Sequence, residues 1–203
     1  MTPQKRALDL AFALLLILLL GPVMIALLIW LWIRQGRPLF YVAERMKGVD
    51  RPFHLWKLRT MTVTATDSGV SGGDKAARIT PAGAWLRRKR LDEFPQLWNI
   101  LKGDLSFVGP RPPLRQYVER HPEIYAEVLQ CRPGVTGLAS IVYHRHEAAL
   151  LARCSTSEET DALYSRLCVP AKARLDLIYR DNRSLCYDFD LVFQTIGNLF
   201  RRG

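Results

Sequence analysis

Residues 11–33 read AFALLLILLLGPVMIALLIWLWI, an uncharged run with Gly21-Pro22 near its middle. As a straight helix at ~1.5 Å per residue the run would reach ~35 Å, enough to cross a hydrocarbon core of ~30 Å. Proline occurs in spanning helices, so on that fact alone an ordinary span fits as well as a bent segment. The flanks separate the two readings. Lys5 and Arg6 precede the run and Arg34 and Arg37 follow it, and because basic residues favour the cytoplasmic side, both ends ask for the same face of the membrane. Pro22 has no N–H for the carbonyl of Leu18, and Gly21 loosens the backbone beside it. Each arm is then about 11 residues and ~16 Å long, which reaches mid-bilayer and returns. The sequence thus predicts, over residues 1–35, a re-entrant helix-break-helix in one leaflet and a monotopic membrane protein facing the cytoplasm. A signal peptide does not fit, because the run is too long and no small-x-small cleavage site follows it.

Residues 36–203 are enough for one cytoplasmic domain with its own core. Twenty-nine Lys and Arg against nineteen Asp and Glu give a net charge of +10. That balance suits an anionic membrane surface, a phosphorylated substrate or nucleic acid; the apolar segment favours the first two, and no nucleic-acid partner is expected. The cysteines at 131, 154, 168 and 186 form no C-x-x-C pair and have no histidine at zinc-ligand spacing, as suits a reducing cytosol.

The expected fold class is α/β, mostly helical with a small sheet, and without the G-x-G-x-x-G of a doubly wound nucleotide domain. PLFYVAERM and PFHLWKLRTM, on either side of KGVDR, predict a hairpin. Residues 62–79, TVTATDSGVSGGDKAARI, read as a mobile loop and a candidate lid. Thr80-Pro81 supplies an N-cap and a first helical residue for AGAWLRRKR, and EIYAEVLQ and PAKARLDLIYRD have helical spacing. In DFDLVFQTIGNLFRR, the residues Phe189, Val192, Phe193, Ile196, Leu199 and Phe200 form one stripe. This C-terminal amphipathic helix either packs on the core or lies on the membrane.

The densest chemistry lies in LRRKRLDEFPQLWNILKGDLSFVGPRPP. Four cations, Arg87 to Arg90, lead into Asp92 and Glu93. Pro95 belongs in a first helical turn, which puts both carboxylates at a helix start. There they are either an exposed capping pair, or a nucleophile and magnesium ligand kept ionised by the arginines. Arg111, between Pro110 and Pro112, is mounted on stiff backbone, where it can grip a phosphate or pair with an acid. Lys57 and Arg59 alternate along the second strand and so face one side, as solvated strand cations or as part of the same positive site. Asp9, four residues after Lys5, is expected to pair with it. The scattered histidines read as solvated, although His144 and His146 could line a pocket.

Together these residues closely resemble the monotopic phosphoglycosyl transferases, the bacterial sugar transferases that begin glycan assembly on polyprenyl phosphate. The matching elements run in order: KRALD, the broken apolar segment, KLRTM at 57–61, RITPAGAWLRR, LDEFPQLWNILKGDLSFVGPRP, RPGVTGLAS at 132–140, and Y-x4-S-x3-D at 179–188. The resemblance, to a small minimal form of the family, implies transfer of a sugar-1-phosphate from a UDP-sugar to undecaprenyl phosphate with release of UMP. It implies that Asp92 is the nucleophile, forms a covalent phosphosugar intermediate and binds Mg2+. Glu93 would assist it, and Arg111 with Arg87 would hold phosphate oxygens or support the dyad. It further implies residence in the bacterial inner (cytoplasmic) membrane, among the lipids of one leaflet, and leaves a homodimer open. Two departures bear on specificity: Ala43 and Lys47 stand where the family often has the Gln and Gly of Q-x-R-x-G, and IVYHRHEAAL replaces the stretch that often carries N-G-R-N. The competing readings are a catalytically silent scaffold for glycan-assembly enzymes and a glycosyltransferase that releases UDP.

Overall fold

In the computed structural model, residues 1–64, 70 and 73–200 are described. Helix α1 (Pro3–Gln35) starts on a Thr2 cap, whose Oγ1 accepts from the Lys5 N–H at 3.3 Å, with Pro3 in the first turn. Its most apolar 18-residue window has a mean hydropathy of 3.0, so the helix is long and apolar enough to cross a membrane. Where the sequence suggests two arms and a break, the structure has one 33-residue helix with Pro22 inside it. Proline removes a single ladder bond, and the leucine-rich turns on both sides carry the helix through.

The buried positions Asp9, Ala13, Met24, Leu27 and Leu31 share one face of α1. Ala13 packs with Leu97, Ile100 and Leu105, and Met24, Leu27 and Leu31 pack with Leu58 and Leu86. Between these footholds Leu18 is 75% exposed and Leu20, on the inner face, is 39% exposed. A Cβ on Gly21 would meet nothing within 4 Å. Both halves therefore rest on the domain while the middle stands clear of it.

The expected hairpin is present: β1 (Phe40–Met46) and β2 (Pro52–Leu58) pair antiparallel, with Tyr41 opposite Lys57 and Arg45 opposite Phe53. Thr80 caps α2 (Pro81–Lys89), its hydroxyl accepting from the Gly83 N–H at 2.9 Å. A Cβ on Gly83 would lie 2.0 Å from the carbonyl oxygen of Thr60, so only glycine lets α2 sit this close to the end of the hairpin. A 3-10 turn, Leu91–Glu93, leads to α3 (Gln96–Lys102). Buried Asn99 fastens α3 to β2, accepting from the Trp56 N–H at 3.2 Å and donating to the His54 carbonyl at 2.7 Å. Next, β3 (Ser106–Val108) pairs parallel with β4 (Gly134–Thr136), and α4 (Arg115–Arg120) and α5 (Pro122–Val128) form the crossover. Helices α6 (Leu138–Val142), α7 (His144–Leu151), α8 (Ser157–Leu163), α9 (Val169–Asn182) and α10 (Leu185–Phe200) complete the chain. The largest core cluster joins Met46, Tyr117, Val118, Val128, Leu151, Cys168 and Val169.

Of the loop expected over 62–79, residues 65–69, 71 and 72 lie outside the described residues. The flanks are ordered by a bridge between Met61 and Ile79 and a 3-10 turn over Gly73–Arg78. One further expectation is corrected. Lys5 does not pair with Asp9; its ammonium meets Asp188 at 2.5 Å, and Asp188 also accepts from the Tyr179 hydroxyl at 2.6 Å, so α1, α9 and α10 are tied together. Asp9 instead accepts from the Phe107 N–H at 3.5 Å. The α10 stripe is divided: Val192 packs against the core beside Leu191, while Phe189, Phe193 and Ile196 are exposed and Phe189 meets Phe12 of α1 edge-on at 6.1 Å. The side chains of Leu199 and Phe200 lie outside the described residues.

Candidate active site

A cavity of about 570 Å3 opens between the hairpin, the turn at 91–93, the Pro110–Leu114 segment and the α7–α9 region. Asp92, Glu93, Lys57, Arg59, Arg87 and Arg111 all line it. The backbone brings the acids there by a sharp turn. Arg90 ends α2 in the left-handed region (φ 58°), the one non-glycine residue with positive φ among those described, at a cost of about 1–2 kcal/mol. The 3-10 turn that follows aims both carboxylates inward, with Asp92 8% and Glu93 9% exposed.

The two neighbouring acids have unlike surroundings. Glu93 is gripped by Lys57 at 3.1 Å, Arg90 at 3.3 Å and Arg111 at 3.9 Å. Burial works to raise its pKa, but Lys57, Arg90 and Arg111 outweigh it and hold the carboxyl at about 2. Asp92 makes no hydrogen bond or ion pair with any described residue. Burial and the charge of Glu93 push its carboxyl above the usual carboxylate range, against the pull of Lys57, Arg87 and Arg90. The cations' expected hold on a carboxylate is thus strongest at Glu93, while burial and Glu93 raise Asp92, because the direct contacts all go to the neighbour. Burial lowers the Lys57 ammonium, and Glu93 is the main charge that opposes the shift.

Arg87 donates from Nε to the Thr60 hydroxyl at 2.9 Å, which fixes its guanidinium beside the dyad. Arg59 lines the cavity, but its guanidinium is turned to the end of α1, donating to the Gln35 carbonyl at 2.6 Å and the Gly36 carbonyl at 3.1 Å. The paired strand stops at Leu58, and the last carbonyls of a helix are unsatisfied acceptors that attract a cation. Arg59 still bonds Leu39 across the hairpin, its N–H donating to that carbonyl at 2.8 Å, and so shares the cavity with Lys57 while its charged end is committed to α1. His144 lines the cavity from α7; His146 instead meets the Tyr143 ring at a tilt, centroids 5.1 Å apart.

The structure adds residues that the sequence reading left out. Arg45 lines the cavity with its Nε buried and unpartnered, and it makes no ion pair with any described residue. Burial and the nearby Arg111 lower its pKa to about 10, so it remains a cation at neutral pH. Its signal was present, since Tyr41 pairs with Lys57 and strand alternation puts Arg45 on that same face. Farther along the wall lie Tyr125, Glu147, Tyr164, Lys172 and Asp176, from helices distant in sequence. Among the described residues, three or more His, Cys, Asp or Glu side chains nowhere converge as a metal cage. Mg2+ needs no such cage, because it takes one or two carboxylates and completes its shell with phosphate and water oxygens. Asp92, uncommitted, fits that role; Glu93, held by three cations, does not.

Comparison with known proteins agrees with these features. Residues 1–202 match the family described as "Bacterial sugar transferase". The chain is 32% identical over 201 residues to a UDP-glucose:undecaprenyl-phosphate glucose-1-phosphate transferase of Caulobacter vibrioides, covering 97% of this chain and 69% of that one. It is 31% identical over 201 residues to a UDP-N-acetylgalactosamine-undecaprenyl-phosphate N-acetylgalactosaminephosphotransferase of Aeromonas hydrophila, covering 96% of this chain and 43% of the other. Against a UDP-glucose:undecaprenyl-phosphate glucose-1-phosphate transferase of Escherichia coli the identity is 33% over 200 residues, covering 95% and 39%. The chain therefore spans less than half the length of the last two relatives. With a match from end to end, and with LDEFPQLWN and GPRP brought to one cavity, the chain belongs to the bacterial sugar transferase family.

Proposed function

We propose that the protein transfers a sugar-1-phosphate from a UDP-sugar to undecaprenyl phosphate and releases UMP. The contrast between the two adjacent carboxyls carries this reading. Asp92, uncommitted and turned into the cavity, attacks the phosphorus that bears the sugar; the P–O bond to UMP breaks and a phosphosugar-aspartate forms. A phosphate oxygen of undecaprenyl phosphate then attacks the same phosphorus and frees the Asp92 carboxylate. A buried carboxyl with a raised pKa is a stronger nucleophile once ionised, and the surrounding cations meet the charge that develops on the phosphoryl oxygens. Lys57, Arg87, Arg111 and Arg45 are placed to bind the diphosphate, and Glu93 anchors Lys57 and Arg111. Asp92 and the diphosphate would hold Mg2+, which would supply charge neutralisation for the leaving UMP.

The two substrates differ in phase, one lipid and one water-soluble, so the site belongs at the membrane surface. We infer a monotopic arrangement at the cytoplasmic face of the inner membrane, with α1 dipping into one leaflet. The bare middle of α1 between two domain-packed halves, and the outward stripe of α10, support it.

The test is nucleotide release from a panel of UDP-sugars, with and without undecaprenyl phosphate and Mg2+, beside Asp92→Asn. Expected are lipid-dependent UMP turnover, a sugar-phosphate mass increment on the wild-type protein given donor alone, and neither in the variant. Release of UDP, or full turnover by Asp92→Asn, overturns the mechanism. A folded protein without nucleotide release from any donor points to the scaffold reading.

A further inference from the structure

At the wall of the same cavity, Asp176 of α9 is 7% exposed and makes no hydrogen bond or ion pair with any described residue. Tyr125 of α5 lines the cavity nearby, its ring packed in the core and its hydroxyl without a hydrogen bond to any described residue. Lys172, one turn before Asp176, is already taken, donating to Glu147 at 2.9 Å and lying 3.2 Å from the Tyr164 hydroxyl. A buried carboxyl left without a donor costs free energy in the empty protein, and that cost is recovered when a ligand brings donors to it.

The cavity thus has two characters. Around Asp92 and Glu93 it is lined by Lys57, Arg87, Arg90, Arg111 and Arg45 and suits a diphosphate. Around Asp176 it is an acceptor flanked by tyrosine, which suits a neutral group rich in hydroxyl donors. Burial raises the Asp176 pKa to about 7, with Lys172 opposing, which is the state of an acid awaiting polar partners.

Resting on the reading of a UDP-sugar donor given above, we propose that Asp176, seconded by Tyr125, binds the hydroxyls of the donor, and that this pair sets which hydroxyl pattern is accepted. Two parts of the donor present that chemistry, the transferred sugar and the ribose.

The experiment is a set of double-mutant cycles between Asp176→Ala or Tyr125→Phe and donors that lack single hydroxyls, one series deoxygenated on the sugar and one at the ribose 2′ position, read as kcat/KM for UMP release. Hydrogen bonds to a charged group predict a roughly tenfold to hundredfold loss for Asp176→Ala on the intact donor. That loss should shrink to near unity on the one deoxy donor that lacks the contacted hydroxyl. Coupling to the sugar series assigns Asp176 to sugar selection, and coupling to the ribose series assigns it to nucleotide recognition. Equal losses on every donor mean a structural role and overturn the proposal, as does no loss at all. Asp176→Asn, which keeps the side-chain shape and an acceptor oxygen, guards against misfolding, and its loss must be smaller than that of Asp176→Ala. Failure of the donor reading itself would be separate, because the wild-type protein would then release no UMP.

Discussion

Replacing Glu93 with Gln should weaken the protein and, at the same time, ease ionisation of its neighbour. The Glu93 carboxyl falls from the ordinary 4.5 to about 2, and at ~1.4 kcal/mol per unit that drop corresponds to roughly 3 kcal/mol of native-state stabilisation at neutral pH. Removing one partner of a buried ion pair costs about 3–5 kcal/mol by independent reckoning, so the two estimates agree in order. Because the folded value is depressed, this stability is fully present above about pH 4.5 and is lost as the pH falls from there toward about 2. In detergent at pH 7.5, Glu93→Gln should therefore melt about 6–12 °C below the wild type, and the gap should narrow as the pH falls below about 4.5. The same change deletes the negative charge that helps raise Asp92, so the acid limb of UMP release under single-turnover conditions should shift to lower pH even as the rate drops. An unchanged melting temperature, or an acid limb that stays put or moves upward, would refute the account of how the two carboxyls share the cations.

Gly83→Ala should force α2 away from Thr60, whose carbonyl oxygen would lie 2.0 Å from the new Cβ. The expected loss is about 1–3 kcal/mol, read by thermal melting, together with reduced UMP release because Arg87 hangs on the Thr60 hydroxyl; a wild-type melt would sink the packing argument. In a background without native cysteines, Gln4→Cys and Asp50→Cys should both react with a membrane-impermeant maleimide from the cytoplasmic side alone. Adding Pro22→Leu should move the Gln4→Cys signal to the opposite side, and labelling of that position from the outside with Pro22 intact would exclude the re-entrant arrangement.

The hairpin was legible because KGVDR interrupts two stretches rich in branched and aromatic residues, and the α2 start because Thr80-Pro81 is a local signal with a local cause. For Asp92 and Glu93 the charge pattern left an exposed capping pair open and the family motif pointed to a site; the structure buries both at the cavity wall. What failed depended on tertiary partners. Lys5 left Asp9 for Asp188, which lies 183 residues away in sequence, and no helical spacing rule contains that information. Arg59 does reach the cavity, but its guanidinium is drawn to the open carbonyls where α1 ends, which strand spacing does not reveal. The unlike pKa shifts of Asp92 and Glu93 follow from which carboxylate each cation touches, a matter of ångströms that adjacency in sequence hides. Asp176 and Tyr125 read as ordinary helix residues, and only the folded cavity reveals them as unpartnered.

The reciprocal clasp between Arg59 and the end of α1 reaches beyond local stability. Gln35 donates to the Arg59 carbonyl at 3.0 Å while Arg59 donates back to Gln35 and Gly36, and Lys57, two residues up the strand, holds Glu93. The end of the apolar helix and the buried Glu93 are thus joined through direct contacts and two residues of backbone. In the proposed one-leaflet arrangement, the depth at which α1 settles would set, through this linkage, the height of Asp92 above the lipid phosphates. On that reading, lipids that hold α1 deeper or shallower in the leaflet would change the rate of UMP release.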